Sequence, residues 1–158
     1  MPRIEVKVTV PVPAATAFAV SQTHGEIRYR WDPFVRSQRF LDGATAPGKG
    51  VRTETRSRHG FRMISEYTSF RPPGQVGMKM VEGPWFFGTL GGGWIFGAID
   101  EDTTEATWRY TFTIRPAFLR PIAEPIGRWL LGRDIRRRIA GFAEGCVDPI
   151  VVAAATAA

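Results

Sequence analysis

The sequence predicts an α+β fold: a curved antiparallel sheet of about seven strands wrapped on a long C-terminal helix, with two short helices after the first strand. Three observations lead there. The chain opens on a clean two-residue alternation. Its middle carries several alternating segments divided by turn signals, and its last third switches to a helical period.

Residues 3–11 place Ile4, Val6, Val8 and Val10 on one face, the pattern of a half-buried strand that Pro11 and Pro13 stop. Ala14 to Gln22 reads as a short helix that Pro13 can open. Gly25 interrupts it. A second short helix covers Glu26 to Arg30 and closes at Trp31-Asp32-Pro33, because the residue before a proline avoids the helical region. Strands are then expected at Val35–Leu41, Val51–Arg58, Phe61–Arg71, Val76–Glu82, Trp94–Ile99 and Glu105–Arg115. The punctuation between them is Asp42-Gly43, Pro47-Gly48-Lys49-Gly50, His59-Gly60, Pro72-Pro73-Gly74, Gly91-Gly92-Gly93 and Asp100-Glu101-Asp102-Thr103. Finally, Ile122, Ile126, Trp129, Leu130, Ile135, Ile139, Phe142, Cys146 and Ile150 fall near one helical face, with Arg133 to Arg138 crowding the polar sides. Such a helix starts around Pro121 to Pro125 and ends before Pro149. It is the element available to fill the sheet's concave face, leaving an elongated, mainly apolar cavity between them.

The 158 residues suffice for one domain, expected over 1–150, with 151–158 an alanine-rich, frayed tail. Cys146 is the one cysteine, so there is no intrachain disulfide, and two histidines make a histidine-rich metal centre a poor expectation. No metal or cofactor is expected. No apolar run is long enough to span a bilayer, and residues 1–5 do not resemble a signal peptide, so a cytoplasmic setting is expected. The formal charge is +6, carried by 18 arginines and three lysines. Contact with nucleic acid or an anionic membrane is permitted by that charge. The Arg133 to Arg138 cluster has no base-reading motif beside it, so it reads as a solvated helix face and no nucleic-acid partner is expected.

This order of elements resembles the helix-grip fold of the START and Bet v 1-like (SRPBCC) superfamily, including its polyketide cyclase/dehydrase and lipid-transport family. The resemblance rests on Val10-Pro11 before an alanine-rich helix containing Phe18, on Tyr29-Arg30-Trp31-Asp32-Pro33, and on Gly48-Lys49-Gly50 before a charged strand. Three readings are then open, the first two of them implied by the resemblance. One is binding or transport of a small hydrophobic molecule such as a lipid or polyketide-like compound. Another is an aromatase/cyclase or dehydratase. The third is an interaction protein with a collapsed cavity.

Strand register supplies the site expectations. A two-residue turn at His59-Gly60 would pair Thr55 with Ile64, Thr53 with Glu66 and Val51 with Thr68, and turn these six toward the cavity. Glu66 is then a carboxylate on a hydroxyl-lined apolar face, a candidate general acid/base or ligand anchor, with Arg62 as its nearest candidate partner. A turn at Asp102-Thr103 would set Ile95 opposite Tyr110, placing Ile95, Trp108, Tyr110 and Phe112 inward, with the Tyr110 hydroxyl as a second catalytic candidate. Met78 and Met80 add a soft lining, and Trp129 a contact from the helix. Trp94 and Phe96 either turn inward through a bulge at Gly91-Gly92-Gly93 or form an exposed patch for a homodimer. Trp85-Phe86-Phe87 either folds onto the core, gates the cavity mouth or makes transient contact with a membrane. His59 fits a hairpin turn and Cys146 the apolar helix stripe.

Overall fold

The computed structural model describes residues 2–157. Strand β1 (Arg3–Val10) leads through Pro11-Val12-Pro13 into helices α1 (Ala14–Ser21) and α2 (Glu26–Trp31). Strands β2 (Val35–Phe40), β3 (Arg52–Ser57), β4 (Arg62–Arg71), β5 (Gln75–Glu82), β6 (Phe87–Asp100) and β7 (Thr103–Ile114) follow. A 3₁₀ turn at Ala117–Leu119 runs into α3 (Arg120–Val147), and α4 (Pro149–Thr156) closes the chain. All seven strands form one antiparallel sheet in the order β1-β7-β6-β5-β4-β3-β2. The α1–α2 pair thus carries the chain from one sheet edge to the other. Helix α3 packs across β1 and β7 and against α1 and α2. Among the described residues no single helix is long and apolar enough to cross a membrane.

The core fills the concave side. Phe142, wholly buried, meets Trp31, Trp94 and Phe96 with ring centroids 5.8, 4.6 and 6.1 Å apart. Ile135, Ile139 and Cys146 continue this buried stripe along the C-terminal half of α3, and burial pushes the Cys146 thiol up to about 12. Three close backbone approaches need glycine, one of them that of Gly92 to the Arg109 carbonyl oxygen of β7. A Cβ on Gly93 would collide with the Val76 carbonyl oxygen of β5, and one on Gly141 with the Trp31 carbonyl oxygen at the end of α2. Glycine at 141 lets α3 lie directly on the α2 backbone.

The structure departs from expectation in four places. Gly91-Gly92-Gly93 does not end a strand, because β6 runs straight through it from Phe87 to Asp100. Residues 149–156 form a helix where a frayed tail was expected: Asp148 caps α4 by accepting from the Ile150 N–H at 3.0 Å, and Val151 is wholly buried. The apolar stripe of α3 is buried only in its C-terminal half, while Ile122 and Ile126 are 70% and 56% exposed. Arg138 is not solvated but 8% exposed, beneath the helix.

Candidate functional site

The β3–β4 hairpin closes through a three-residue loop, Arg58-His59-Gly60, rather than the two-residue turn expected. The Ser57 N–H donates to the Phe61 carbonyl at 2.8 Å, and Gly60 adopts φ 88°, as such loops require. The odd length moves the register by one. Thr53 lies opposite Ser65, and Arg52 opposite Glu66. Since side chains alternate faces, this exchanges the inward set. Thr53, Thr55, Met63, Ser65 and Tyr67 face α3, whereas Ile64, Glu66 and Thr68 belong to the outer face. Glu66 there accepts from Arg52 Nε at 3.2 Å and sits 3.7 Å from Lys79 Nζ. Arg62 instead meets Glu54 and Glu82, at 2.9 and 3.2 Å. Val51 lies on the inner side and packs against the core.

The β6–β7 hairpin shows a second shift. Asp100 pairs with Thr103, and an irregularity between Ala98 and Asp100 then sets Trp94 opposite Trp108 and Ile95 opposite Thr107. Trp94 and Phe96 therefore turn inward and are buried, the first of the two alternatives the sequence left open, and they form no exposed patch. The irregularity responsible is at Ala98/Asp100, not at the glycine triplet. Ile95 goes to the outer face. Trp108 and Tyr110 face the interior as expected, and Phe112 is wholly buried in the core against Gly127. Trp129 is 60% exposed on α3 and lines neither of the two cavities described below.

A cleft of about 940 Å³ opens between the sheet and the N-terminal half of α3. Ile122, Ile126 and Leu130 form one wall, and Phe61, Trp85 and Phe86 stand on the other. Trp85, 75% exposed, and Phe86 thus border the cleft from the segment before β6, while Phe87 opens that strand and packs against the core. The incomplete burial of the helix stripe follows from this: those side chains face the cleft instead of the sheet. At the floor, Thr55, Met63, Tyr110 and Arg138 also border a smaller chamber of about 90 Å³. Thr53, Ser65, Tyr67, Met78, Met80, Trp108 and Arg28 are among its other lining residues, with Gln22, His24, Gln38 and Lys79. Of the expected site residues, Thr53, Met78, Met80, Trp108 and Tyr110 come together here.

The chamber's charges were not foreseen. Asp32, wholly buried at the end of α2, accepts from Arg28 Nε at 2.9 Å, from Arg138 Nε and Nη2 at 3.1 and 2.9 Å, and from the Phe34 N–H at 3.0 Å. Burial alone would raise its carboxyl, but Arg138 and Arg28 outweigh it and hold the group at about 2. The Arg138 guanidinium lies 4.3 Å from the Trp108 ring centre and 4.6 Å from that of Phe34. Burial raises the Tyr110 hydroxyl, against the pull of Arg138 beside it, and lifts Tyr67 to about 12. Both phenols are therefore neutral hydrogen-bond donors at physiological pH. A signal for Arg138 existed. Its spacing from Ile135 and Phe142 puts it on the buried stripe, and Trp31-Asp32-Pro33 supplies an acid at a helix end.

Residues 1–146 match the family described as polyketide cyclase/dehydrase and lipid transport. The chain belongs to that family. Among solved structures, a protein from Thermus thermophilus shares 16% identity at a TM-score of 0.75, covering 98% of this chain and 99% of that one. A START superfamily protein from Mycobacterium smegmatis shares 13% at 0.75, over 90% and 94% of the two chains. The Zhui aromatase/cyclase of a Streptomyces species shares 16% at 0.71, over 92% and 93%. At these identities the likeness shows a shared START/Bet v 1-like fold. No curated protein sequence matches the chain.

Proposed function

We propose that this family member binds a small hydrophobic molecule in the cleft between the sheet and α3, with its polar end toward Tyr110 and Arg138. The observation that carries this reading is the wall of Ile122, Ile126 and Leu130. These large apolar side chains face an open volume of about 940 Å³ instead of protein, within the range of small-molecule sites. A collapsed-cavity interaction protein would have no use for that volume. Trp85 and Phe118, largely exposed, support transient membrane contact during loading.

A second reading, an aromatase/cyclase, is favoured by one arrangement. A protonated Tyr110 beside Arg138 pairs a proton donor with a cation, as stabilising an enolate requires. Native mass spectrometry of freshly purified protein tests the first reading: a co-purifying lipid or aromatic compound is expected. Incubation with a poly-β-keto substrate tests the second. A cyclised product lost in Tyr110→Phe supports the enzyme, and binding without turnover supports the carrier.

A further inference from the structure

We propose that the small chamber at the cleft floor is a subsite for an oxyanion head, and that the ligand is a carboxylate-headed amphiphile. The proposal rests on the cleft being a binding site and narrows what it binds.

The first argument is a charge count. Arg28 and Arg138, each 8% exposed, share the single carboxylate of Asp32. One positive charge is left over among Trp31, Phe34 and Trp108. A buried charge without a counter-charge is costly, and an entering anion removes that cost. Asp32 cannot serve further, since it already accepts from two guanidiniums and the Phe34 N–H.

The second argument is donor supply. Asp32 engages Nε and Nη2 of Arg138, leaving Nη1 without a carboxylate partner. The Tyr110 phenol is protonated. Thr53 Oγ1 is, among the described residues, the one buried side-chain oxygen or nitrogen with no hydrogen-bond partner, and Thr53 lines the chamber. An unmade hydrogen bond on a buried hydroxyl is a cost that a ligand oxygen relieves.

The third argument is size and route. The chamber's volume of about 90 Å³ suits a head group and not an apolar body, which stays in the outer cleft. Along that outer cleft Arg115, Arg133 and Arg137 face one acid, Asp134, so an anion meets attraction on the way in.

Laurate, 1-dodecanol and dodecylamine share one chain and differ in the head. Isothermal titration of delipidated protein with each at pH 7 reads the head preference directly. Laurate is expected to bind about tenfold or more tighter than dodecanol, the scale of a charged hydrogen bond, with dodecylamine weakest. Tyr110→Phe and Thr53→Val should each reduce the laurate-to-dodecanol ratio severalfold. Equal binding of laurate and dodecanol, or a preference for the amine, overturns the subsite and leaves the cleft reading standing. A ratio unchanged in both variants overturns its placement at the floor. If none of the three binds and native mass spectrometry finds no bound compound, the cleft reading itself falls.

Discussion

Replacing Asp32 with asparagine keeps the side chain's shape and removes its charge, leaving two buried guanidiniums facing one neutral amide. The carboxyl falls from its ordinary 3.8 to about 2 in the folded protein. At about 1.4 kcal/mol per pKa unit, ionised Asp32 stabilises the fold at neutral pH by about 2–3 kcal/mol. Orphaning the two arginines brings the expected loss for Asp32→Asn to about 3–5 kcal/mol, the scale for breaking a buried ion pair. Because the folded pKa lies below the unfolded one, this contribution is complete above about pH 5. It fades as the pH falls through the ordinary carboxylate value toward about 2. Urea unfolding of both proteins at a series of pH values measures it, and the difference between them cancels the other carboxylates. The gap should narrow by about 2–3 kcal/mol between neutral pH and about pH 2. A loss under about 1 kcal/mol at pH 7, or a gap constant down to pH 2, would show that Asp32 does not hold the network together.

The outer-face placement of Glu66 predicts that Glu66→Gln shifts stability by less than about 1 kcal/mol and leaves affinity for any cleft ligand unchanged in titration. Gly93→Ala must drive a methyl into the Val76 carbonyl, whereas Gly97→Ala meets nothing within 4 Å. The first should therefore lower the melting temperature clearly and the second leave it level or raised, because alanine restricts the unfolded chain. With its thiol pushed up to about 12 and its side chain buried, Cys146 should stay unlabelled by a thiol reagent in the native protein and react at once in denaturant.

The order of elements was legible because alternation and helical period are printed in the sequence. Val10-Pro11, Gly25 and Trp31-Asp32-Pro33 marked their boundaries within about one residue. What failed was parity. The hairpin at His59 gained one residue through the Arg58-His59-Gly60 loop, and the hairpin at Asp100 gained an irregularity near Ile99. In a period-two structure either change sends every downstream side chain to the other face. That is how Glu66 and Ile95 left the cavity while Trp94 and Phe96 entered it. The Asp32–Arg138 contact joins residues 106 apart in sequence, and no local pattern reports such a pairing. Nor does helical period distinguish a stripe that meets a sheet from one that meets a cleft. Ile139 and Ile126 read alike in sequence and differ in what lies across from them.

The contact of Gly141 with Trp31 reaches beyond packing. Arg138 precedes Gly141 by less than one helical turn, and Asp32 follows Trp31 directly. The distance between the guanidinium and the carboxylate is therefore set by how near two backbones can come, and the missing carbon at 141 fixes that spacing. One methyl group added there would lift α3 off α2 and stretch every bond across the gap, without touching a charged atom. The local field at the cleft floor is in this sense tuned by a side chain that is not there. Sequence changes at 141 would read as changes in cleft polarity as much as in fold stability.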